Sequence, residues 1–157
     1  MLERKCRKDF RDPNTLQENK YGCYVVDSSV RAANASIAPS IVHKAALGRP
    51  WNAQIRSIYA NTYLDESIIP AGYIQWSTSD PRINNYTFQA EYNSYGPGWN
   101  LTGRLAAGNI SKVLTKQEYA PYSTVDKVFQ RSYTDGSFGY TGICVQSKLM
   151  TRLAKIL

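Results

Sequence analysis

Arg49 and Trp51, two positions apart, are the residues of this chain best suited to bind a ligand. They stand in Leu47-Gly48-Arg49-Pro50-Trp51, where Pro50 fixes its own φ and favours an extended backbone at Arg49. A guanidinium presents a planar fork of donors that matches a carboxylate, and an indole presents a flat apolar face. The pair therefore indicates a site for an acidic sugar polymer. The alternative is a loop with a structural arginine and a packed tryptophan.

Length, charge and composition narrow the possible classes of protein. The chain has 157 residues, which predicts one domain, and a formal net charge of +7. The basic residues are scattered and no helix–turn–helix, RNP or zinc pattern occurs, so nucleic acid is not the expected partner. A basic nucleic-acid-binding protein, supported by the charge alone, is an alternative class. A basic face suits an acidic polymer, and plain solvation of the surface is an alternative explanation. No run of about 18 apolar residues predicts a membrane span, and residues 1–12 do not have the pattern of a signal peptide.

The elements that must position this pair are predicted to be mainly β-strands. Runs rich in β-branched and aromatic residues, separated by Asn, Asp, Pro and Gly, predict strands. They recur at intervals of roughly 15 to 30 residues, which is compatible with turns of a solenoid, although no strict repeat is present. The predicted strands are 21–30, 56–64, 73–76 and 86–92.

Other elements are predicted in the second half of the chain. Residues 95–98 predict a turn, and residues 111–119 predict a short helix with Ser111 as its N-cap. Residues 133–142 are rich in Gly and Tyr and predict a loop. Residues 148–157 predict a terminal helix, with a basic amphipathic helix at a membrane surface as the alternative.

Three segments, in order, resemble the pectinesterase (pectin methylesterase) family. The pentapeptide resembles the signature of that family. Residues 69–76, Ile-Pro-Ala-Gly-Tyr-Ile-Gln-Trp, resemble its Pro-Ala-Gly-aromatic-x-x-Trp segment, and residues 90–98 resemble its Glu-Tyr…Gly-Pro-Gly segment. Three matches at the right spacing are more specific than one. The resemblance extends over residues 21–129 and is closest to the fungal branch.

The resemblance implies an all-β fold, the right-handed single-stranded parallel β-helix, of which this chain would be a partial solenoid. It divides the chain into a basic N-terminal segment (1–20), a β-helix portion (21–129) and a C-terminal tail (130–157). It also implies a monomer that is secreted. Four glycosylation sequons, at Asn34, Asn85, Asn100 and Asn109, are in keeping with a secretory route.

The resemblance further implies hydrolysis of galacturonate methyl esters in pectin (methylated homogalacturonan), without a metal or cofactor. In the family one aspartate attacks the ester, a second acts as acid and base, and a glutamine stabilises the oxyanion. Arg49 matches the catalytic-site arginine, which is expected to hold the nucleophilic carboxylate ionised and to contact the substrate. Trp51 and Trp76 match substrate-binding aromatics, with a core role as the alternative for Trp76. Tyr73, where tryptophan is common, is predicted to form a subsite wall.

The two catalytic aspartates belong to segments that precede the pentapeptide in the family. They are of the type Gln-Asp-Thr-Leu and Asp-Phe-Ile-Phe-Gly, and neither occurs in this sequence. Residues 1–46 contain only Asp9, Asp12 and Asp27, none of which stands in such a motif. The chain is therefore expected to be the C-terminal portion of a pectinesterase and to be inactive by itself. The alternative is a non-catalytic pectin- or glycan-binding fragment that uses Arg49 and Trp51.

The remaining residues with reactive side chains have no matching motif. Asp65 and Glu66 predict a turn, Glu91 is predicted to be structural, and Asp80 matches nothing in the family. His43, the single histidine, is predicted to lie in a surface loop. The three cysteines have no metal-ligand spacing and allow at most one disulfide. They are Cys6, Cys144 and Cys23, the last of which is predicted to be a buried small hydrophobe.

Overall fold

The structure, a computed structural model, describes residue 20 and residues 22–128. Four strands form a parallel sheet in the order β1-β3-β5-β6, and two further strands, β2 and β4, form a second parallel pair. The strands are β1 (Cys23–Val26), β2 (Ser29–Val30), β3 (Arg56–Ala60), β4 (Tyr63–Leu64), β5 (Phe88–Tyr92) and β6 (Lys112–Val113). Each strand of the larger sheet thus lies on the preceding one, as parallel stacking of successive rungs requires.

Short helices follow the last long strand. They are α1 (Leu101–Ala106), α2 (Lys116–Tyr119) and α3 (Val125–Val128), with 3-10 turns at Gly108–Ile110 and Ala120–Tyr122. Another 3-10 turn, Ala38–Ile41, lies between β2 and β3. Helix α1 begins at its N-cap Asn100, whose side chain accepts from the Gly103 amide at 2.8 Å. Helix α2 begins with a capping box formed by Thr115 and Glu118. The predicted helix at 111–119 is therefore shorter, and its predicted N-cap Ser111 is wrong, because β6 occupies residues 112 and 113.

The corner after each long strand repeats the same backbone conformation. Asp27, Asn61 and Asn93 have positive φ angles of 48°, 48° and 51°. Asn and Asp tolerate this left-handed region better than other residues with a Cβ. The side-chain Nδ2 of Asn61 donates to Asp27 Oδ1 at 2.9 Å, and the side-chain Nδ2 of Asn93 donates to Asn61 Oδ1 at 2.9 Å. The three corners therefore stack on each other through side-chain hydrogen bonds.

Two apolar clusters hold the rungs together. The first contains the fully buried Ile58, Ala60 and Ala90 of neighbouring strands, together with Leu114 and Tyr119. The second contains Leu47, the first residue of the pentapeptide, together with Leu64, Ile68 and Tyr73. Burial of an isoleucine or leucine side chain contributes about 1.5–3 kcal/mol, and such burial is the main driving force for stacking the rungs.

Strands at 21–30, 56–64 and 86–92 are confirmed, although the first two each divide into two short strands around a corner. The strand predicted at 73–76 is wrong, since these residues form bends and irregular backbone; the Tyr73 amide, for example, donates to the nearby Ala71 carbonyl at 3.0 Å. Cys23 is exposed rather than buried; it begins β1, the outermost strand at one edge of the described sheet. The turn at 95–98 is confirmed, with Gly96 at φ 101°.

The parallel sheets agree with the expected fold class at a coarse level, but the described residues do not form a closed solenoid. Short helices also accompany the strands, so this part of the chain is not purely β. The right-handed β-helix therefore stays a prediction. The predicted loop at 133–142 and the terminal helix at 148–157 lie outside the described residues, as do most of the predicted segments 1–20 and 130–157.

The stacked corners lead to a stability prediction for Asn61. Asn61→Ala removes two hydrogen bonds and places an alanine at positive φ, so we expect a loss of about 2 kcal/mol in the free energy of unfolding. Asn61→Gly removes the same bonds without the conformational strain and should be more stable than the alanine variant by about 1 kcal/mol. Urea unfolding followed by circular dichroism measures both. Equal stability of the two variants would contradict the role assigned to the backbone conformation.

Candidate functional site

The pentapeptide is held by a second length of chain that runs beside it. Ala45 pairs with Ile68 in a parallel bridge. The Leu47 amide then donates to the Gly72 carbonyl at 2.8 Å, and the Ile74 amide donates to the Gly48 carbonyl at 3.1 Å. These bonds attach the two segments that carry the family resemblance to each other. They fix the backbone immediately before Arg49.

Arg49, Trp51 and Trp76 form one cluster at the surface. The guanidinium carbon of Arg49 lies 4.3 Å from the centroid of the Trp76 ring, in the geometry of a cation–π contact. The rings of Trp51 and Trp76 meet edge to face, with centroids 5.1 Å apart and planes at 88°. Trp51 is 63% exposed, so most of its ring is open to a ligand. The structure thus brings together three of the four residues predicted to form the site.

Tyr73, the fourth predicted residue, lies in the core. It is 1% exposed, and its hydroxyl contacts the backbone carbonyls of Ser57 at 3.2 Å and Ala90 at 3.1 Å. Burial raises the pKa of this hydroxyl well above its ordinary value. A side chain enclosed in this way cannot form a subsite wall, so we leave Tyr73 out of the proposed site. Its position between Arg49 and Trp76 along the chain gave no signal of this burial.

Arg82 also contacts the cluster, although it lies in none of the three segments whose motifs resemble the family. Its guanidinium carbon lies 4.2 Å from the Trp76 centroid and 6.0 Å from the Trp51 centroid. Its Nη1 donates to the Trp51 carbonyl at 2.5 Å, and its Nε pairs with Asp80 at 2.8 Å. Its neighbours Pro81 and Ile83 gave no motif from which this position could be found.

A buried ion pair supports the loop that carries the second segment. Arg104 Nε lies 2.7 Å from Glu91 Oε1, with the two side chains 0% and 1% exposed. Arg104 Nη1 also donates to the carbonyls of Ile69 at 3.0 Å and Pro70 at 2.7 Å. The prediction that Glu91 is structural is therefore confirmed.

The loop can approach this ion pair only because a glycine stands at position 72. A Cβ on Gly72 would lie 2.7 Å from Arg104 Nε and 2.9 Å from Glu91 Oε1, and the φ of Gly72 is 76°. Both the space and the backbone conformation therefore require glycine here. The same residue supplies the carbonyl that accepts from Leu47. The ion pair is in this way linked to the pentapeptide through a single loop.

Comparison with known proteins identifies the family. The family model for pectinesterases matches residues 11–132, most of the chain. The chain belongs to the pectinesterase family. No solved structure gave a significant match to it.

Curated relatives of the chain are plant proteins of this family. Pectinesterase/pectinesterase inhibitor 22 of Arabidopsis thaliana is 32% identical over 96 residues, which cover 59% of this chain and 14% of the relative. Pectinesterase 2 of Citrus sinensis is 42% identical over 62 residues, covering 40% of this chain and 12% of the relative. The pectinesterase/pectinesterase inhibitor PPE8B of Prunus persica is 31% identical over 99 residues, covering 63% and 17%.

These relatives bear on two predictions. The chain spans less than a fifth of the length of each of these three relatives, in keeping with the expectation that it corresponds to only a portion of a pectinesterase. Because all three are plant proteins, the closer likeness to the fungal branch stays a prediction.

Five carboxylates of the described residues are bonded within the fold, and none of these five pairs with Arg49. Among residues 22–128, Arg49 forms no ion pair with a carboxylate. Asp65 accepts hydrogen bonds from the backbone amides of Ala32 at 2.5 Å and Ser67 at 3.0 Å. Four further carboxylates are bonded within the fold: Asp27 to Asn61, Asp80 to Arg82, Glu91 to Arg104 and Glu118 to Thr115. The turn predicted at Asp65 and Glu66 is confirmed.

In the described part of the chain, neither the histidine nor any cluster of potential metal ligands contributes to the site. His43 is exposed in a turn at φ 52°, as predicted, and its amide donates to the Glu66 carbonyl at 2.8 Å. Within residues 22–128 no three His, Cys, Asp or Glu side chains come close enough to hold a metal ion. In the same part of the chain, no helix has the length and apolarity needed to cross a bilayer.

The buried ion pair leads to a prediction with a matched control. Glu91→Gln leaves the Arg104 guanidinium buried without a counter-charge, so we expect the free energy of unfolding to fall by about 3 kcal/mol or more. Asp80→Asn is the same chemical change in an exposed ion pair and should cost less than about 1 kcal/mol. Urea unfolding measures both. Similar losses for the two variants would show that the Glu91–Arg104 pair does not support the fold in this way.

Proposed function

We propose that this chain supplies a pectin-binding face for pectinesterase-type hydrolysis of galacturonate methyl esters, which yields pectate and methanol. The observation that carries the proposal is the cluster of Arg49, Trp51 and Trp76 at the surface. A sugar ring can stack on the exposed face of Trp51, while the Arg49 guanidinium donates to carboxyl oxygens of the polymer. Membership of the pectinesterase family supports the choice of pectin as the polymer.

Arg49 is the one residue of the chain to which we assign a catalytic role. Within the described residues its guanidinium has no carboxylate partner, and it is exposed beside Trp51. A cation in this place would lower the pKa of a nucleophilic aspartate and hold its carboxylate in position for attack on the ester carbon. The sequence of this chain supplies no aspartate in a matching motif, so the nucleophile would come from outside these residues.

A second function, binding of pectin without catalysis, is favoured because several carboxylates are already bonded within the fold. Five acidic side chains of the described residues are bonded within the fold: Asp27, Asp65, Asp80, Glu91 and Glu118. Because these five acids are bonded within the fold, this part of the chain can bind the polymer without cleaving it. The alternative to an esterase portion is thus a non-catalytic pectin-binding fragment.

We propose that the protein acts as a monomer outside the cell, on pectin rather than on nucleic acid or at a membrane. The secretory route is supported by the family and by exposed asparagines in the sequons at Asn34, Asn85, Asn100 and Asn109. The scattered basic residues support attraction to the galacturonate polyanion without a groove for a duplex.

The site assignment predicts that Trp51→Ala weakens binding of the full chain to pectin by about ten-fold or more, because the stacking surface is lost. Tyr95→Ala is the matched control. Tyr95 is also an exposed aromatic side chain (55%), but it packs on Tyr63 of strand β4, in the two-stranded sheet. Affinity electrophoresis in gels that contain pectin measures both variants. Unchanged binding of Trp51→Ala, or an equal loss in Tyr95→Ala, would overturn the assignment.

The missing aspartates predict that the 157-residue chain releases no methanol from highly methylated pectin while it still binds the polymer. A methanol oxidase assay with Arg49→Ala in parallel measures this. Release that disappears in Arg49→Ala would mean that an acid of this chain acts as the nucleophile. The proposal that the nucleophile comes from elsewhere would then be wrong.

A further inference from the structure

Arg82 lies outside the three motif segments at 47–51, 69–76 and 90–98, yet it contacts both tryptophans of the cluster. It shares the Trp76 ring with Arg49, since the two guanidinium carbons lie 4.2 Å and 4.3 Å from the same ring centroid. It is also bonded to the backbone carbonyl of Trp51. The site therefore has two cations on one indole ring where the sequence predicted one.

The backbone around Arg82 holds it in an unusual conformation. Its φ is 53°, a left-handed value that few residues other than glycine adopt. Hydrogen bonds from the Trp76 amide to the Pro81 carbonyl and from the Ser77 amide to the Asp80 carbonyl, both 3.1 Å, close the loop that leads to it. Sparsely populated conformations of this kind cluster at ligand sites. The loop thereby directs Arg82 back onto Trp76.

The guanidinium of Arg82 keeps donors for a ligand. Asp80 engages Nε and the Trp51 carbonyl engages Nη1, whereas a guanidinium carries five N–H donors. Among the described residues no further acceptor engages it. The Asp80 pair is itself at the surface, with the two side chains 30% and 56% exposed, and surface pairs of this kind are weak. A carboxylate of a bound polymer can therefore compete with Asp80.

We propose that Arg82 is a second carboxylate-binding residue, which makes the site selective for pectin stretches that carry free galacturonate carboxylates. The inference rests on the proposed function. A free carboxylate gains a charge-assisted hydrogen bond at Arg82, whereas a methyl ester has no charge to offer there. Arg49 and Arg82 together favour adjacent charged sugars over a fully methylated stretch. The specificity-determining element is thus the pair of arginines on Trp76.

The test measures affinity of the full chain for two polymers, polygalacturonic acid and highly methylated pectin, at low ionic strength. Arg82→Gln should lower affinity for polygalacturonic acid about five-fold and change affinity for methylated pectin less than about two-fold. Arg82→Lys keeps the charge but loses the planar fork, and should fall between wild type and Arg82→Gln. Arg31→Gln is the matched control, because Arg31 is also an exposed arginine on an aromatic ring. Its guanidinium carbon lies 4.0 Å from the ring centroid of Tyr63, on strand β4.

Asp80→Asn gives a change in the opposite direction. It removes the carboxylate that competes for Arg82, so affinity for polygalacturonic acid should rise about two-fold or more. In the Arg82→Gln background the same substitution should have less effect than in wild type. This variant keeps the proposal testable even where Arg82→Gln disturbs the loop, because it removes no contact to either tryptophan.

The outcomes separate this inference from the proposed function. Equal losses for both polymers in Arg82→Gln, no loss at all, or a comparable loss in Arg31→Gln would overturn the role of Arg82 and leave pectin binding intact. Failure of the wild-type chain to bind either polymer would overturn both proposals. Loss confined to polygalacturonic acid, with the opposite change in Asp80→Asn, is the result we expect.

Discussion

The buried ion pair of Glu91 and Arg104 is the interaction on which the geometry of the site depends. Glu91 stands on the central strand β5, and Arg104 on the first helix that follows it. The Arg104 guanidinium also donates hydrogen bonds to the carbonyls of Ile69 and Pro70. One charged group therefore fixes a strand, a helix and a loop relative to each other. Separation of the pair would leave a buried charge unpaired, at a cost of about 3–5 kcal/mol. The loop that borders the pentapeptide is consequently held in one position.

Parallel stacking sets the second constraint. A parallel strand repeats its neighbour only after the chain has passed around a full rung, so residues far apart in sequence become lateral neighbours. Asn61 illustrates this, because its partners Asp27 and Asn93 lie 34 and 32 residues away. The number of residues in each rung likewise places the pentapeptide beside residues 69–76 in space. The site is therefore a product of rung length as much as of local sequence.

The site itself combines fixed aromatic surfaces with cations that lie against them. The Trp76 ring contacts two guanidiniums, and Trp51 keeps most of its own ring exposed. Arginine is suited to this arrangement because its planar, weakly hydrated group stacks on a ring while its edge still donates hydrogen bonds. A surface of this kind matches a polymer that alternates apolar ring faces with carboxyl groups.

The sequence by itself determined the family, the strands on either side of the pentapeptide and the roles of Arg49 and Trp51 as candidates. It did so because short motifs and alternating apolar patterns are local properties. The burial of Tyr73, the exposure of Cys23 and the irregular backbone at 73–76 were decided by tertiary structure, since each depends on contacts with other rungs. Arg82 could not be found from sequence either, because it reaches Trp51 across 31 residues and stands in no recognisable motif. Local pattern specifies which residues can act, whereas only the stacking of distant rungs decides which of them meet.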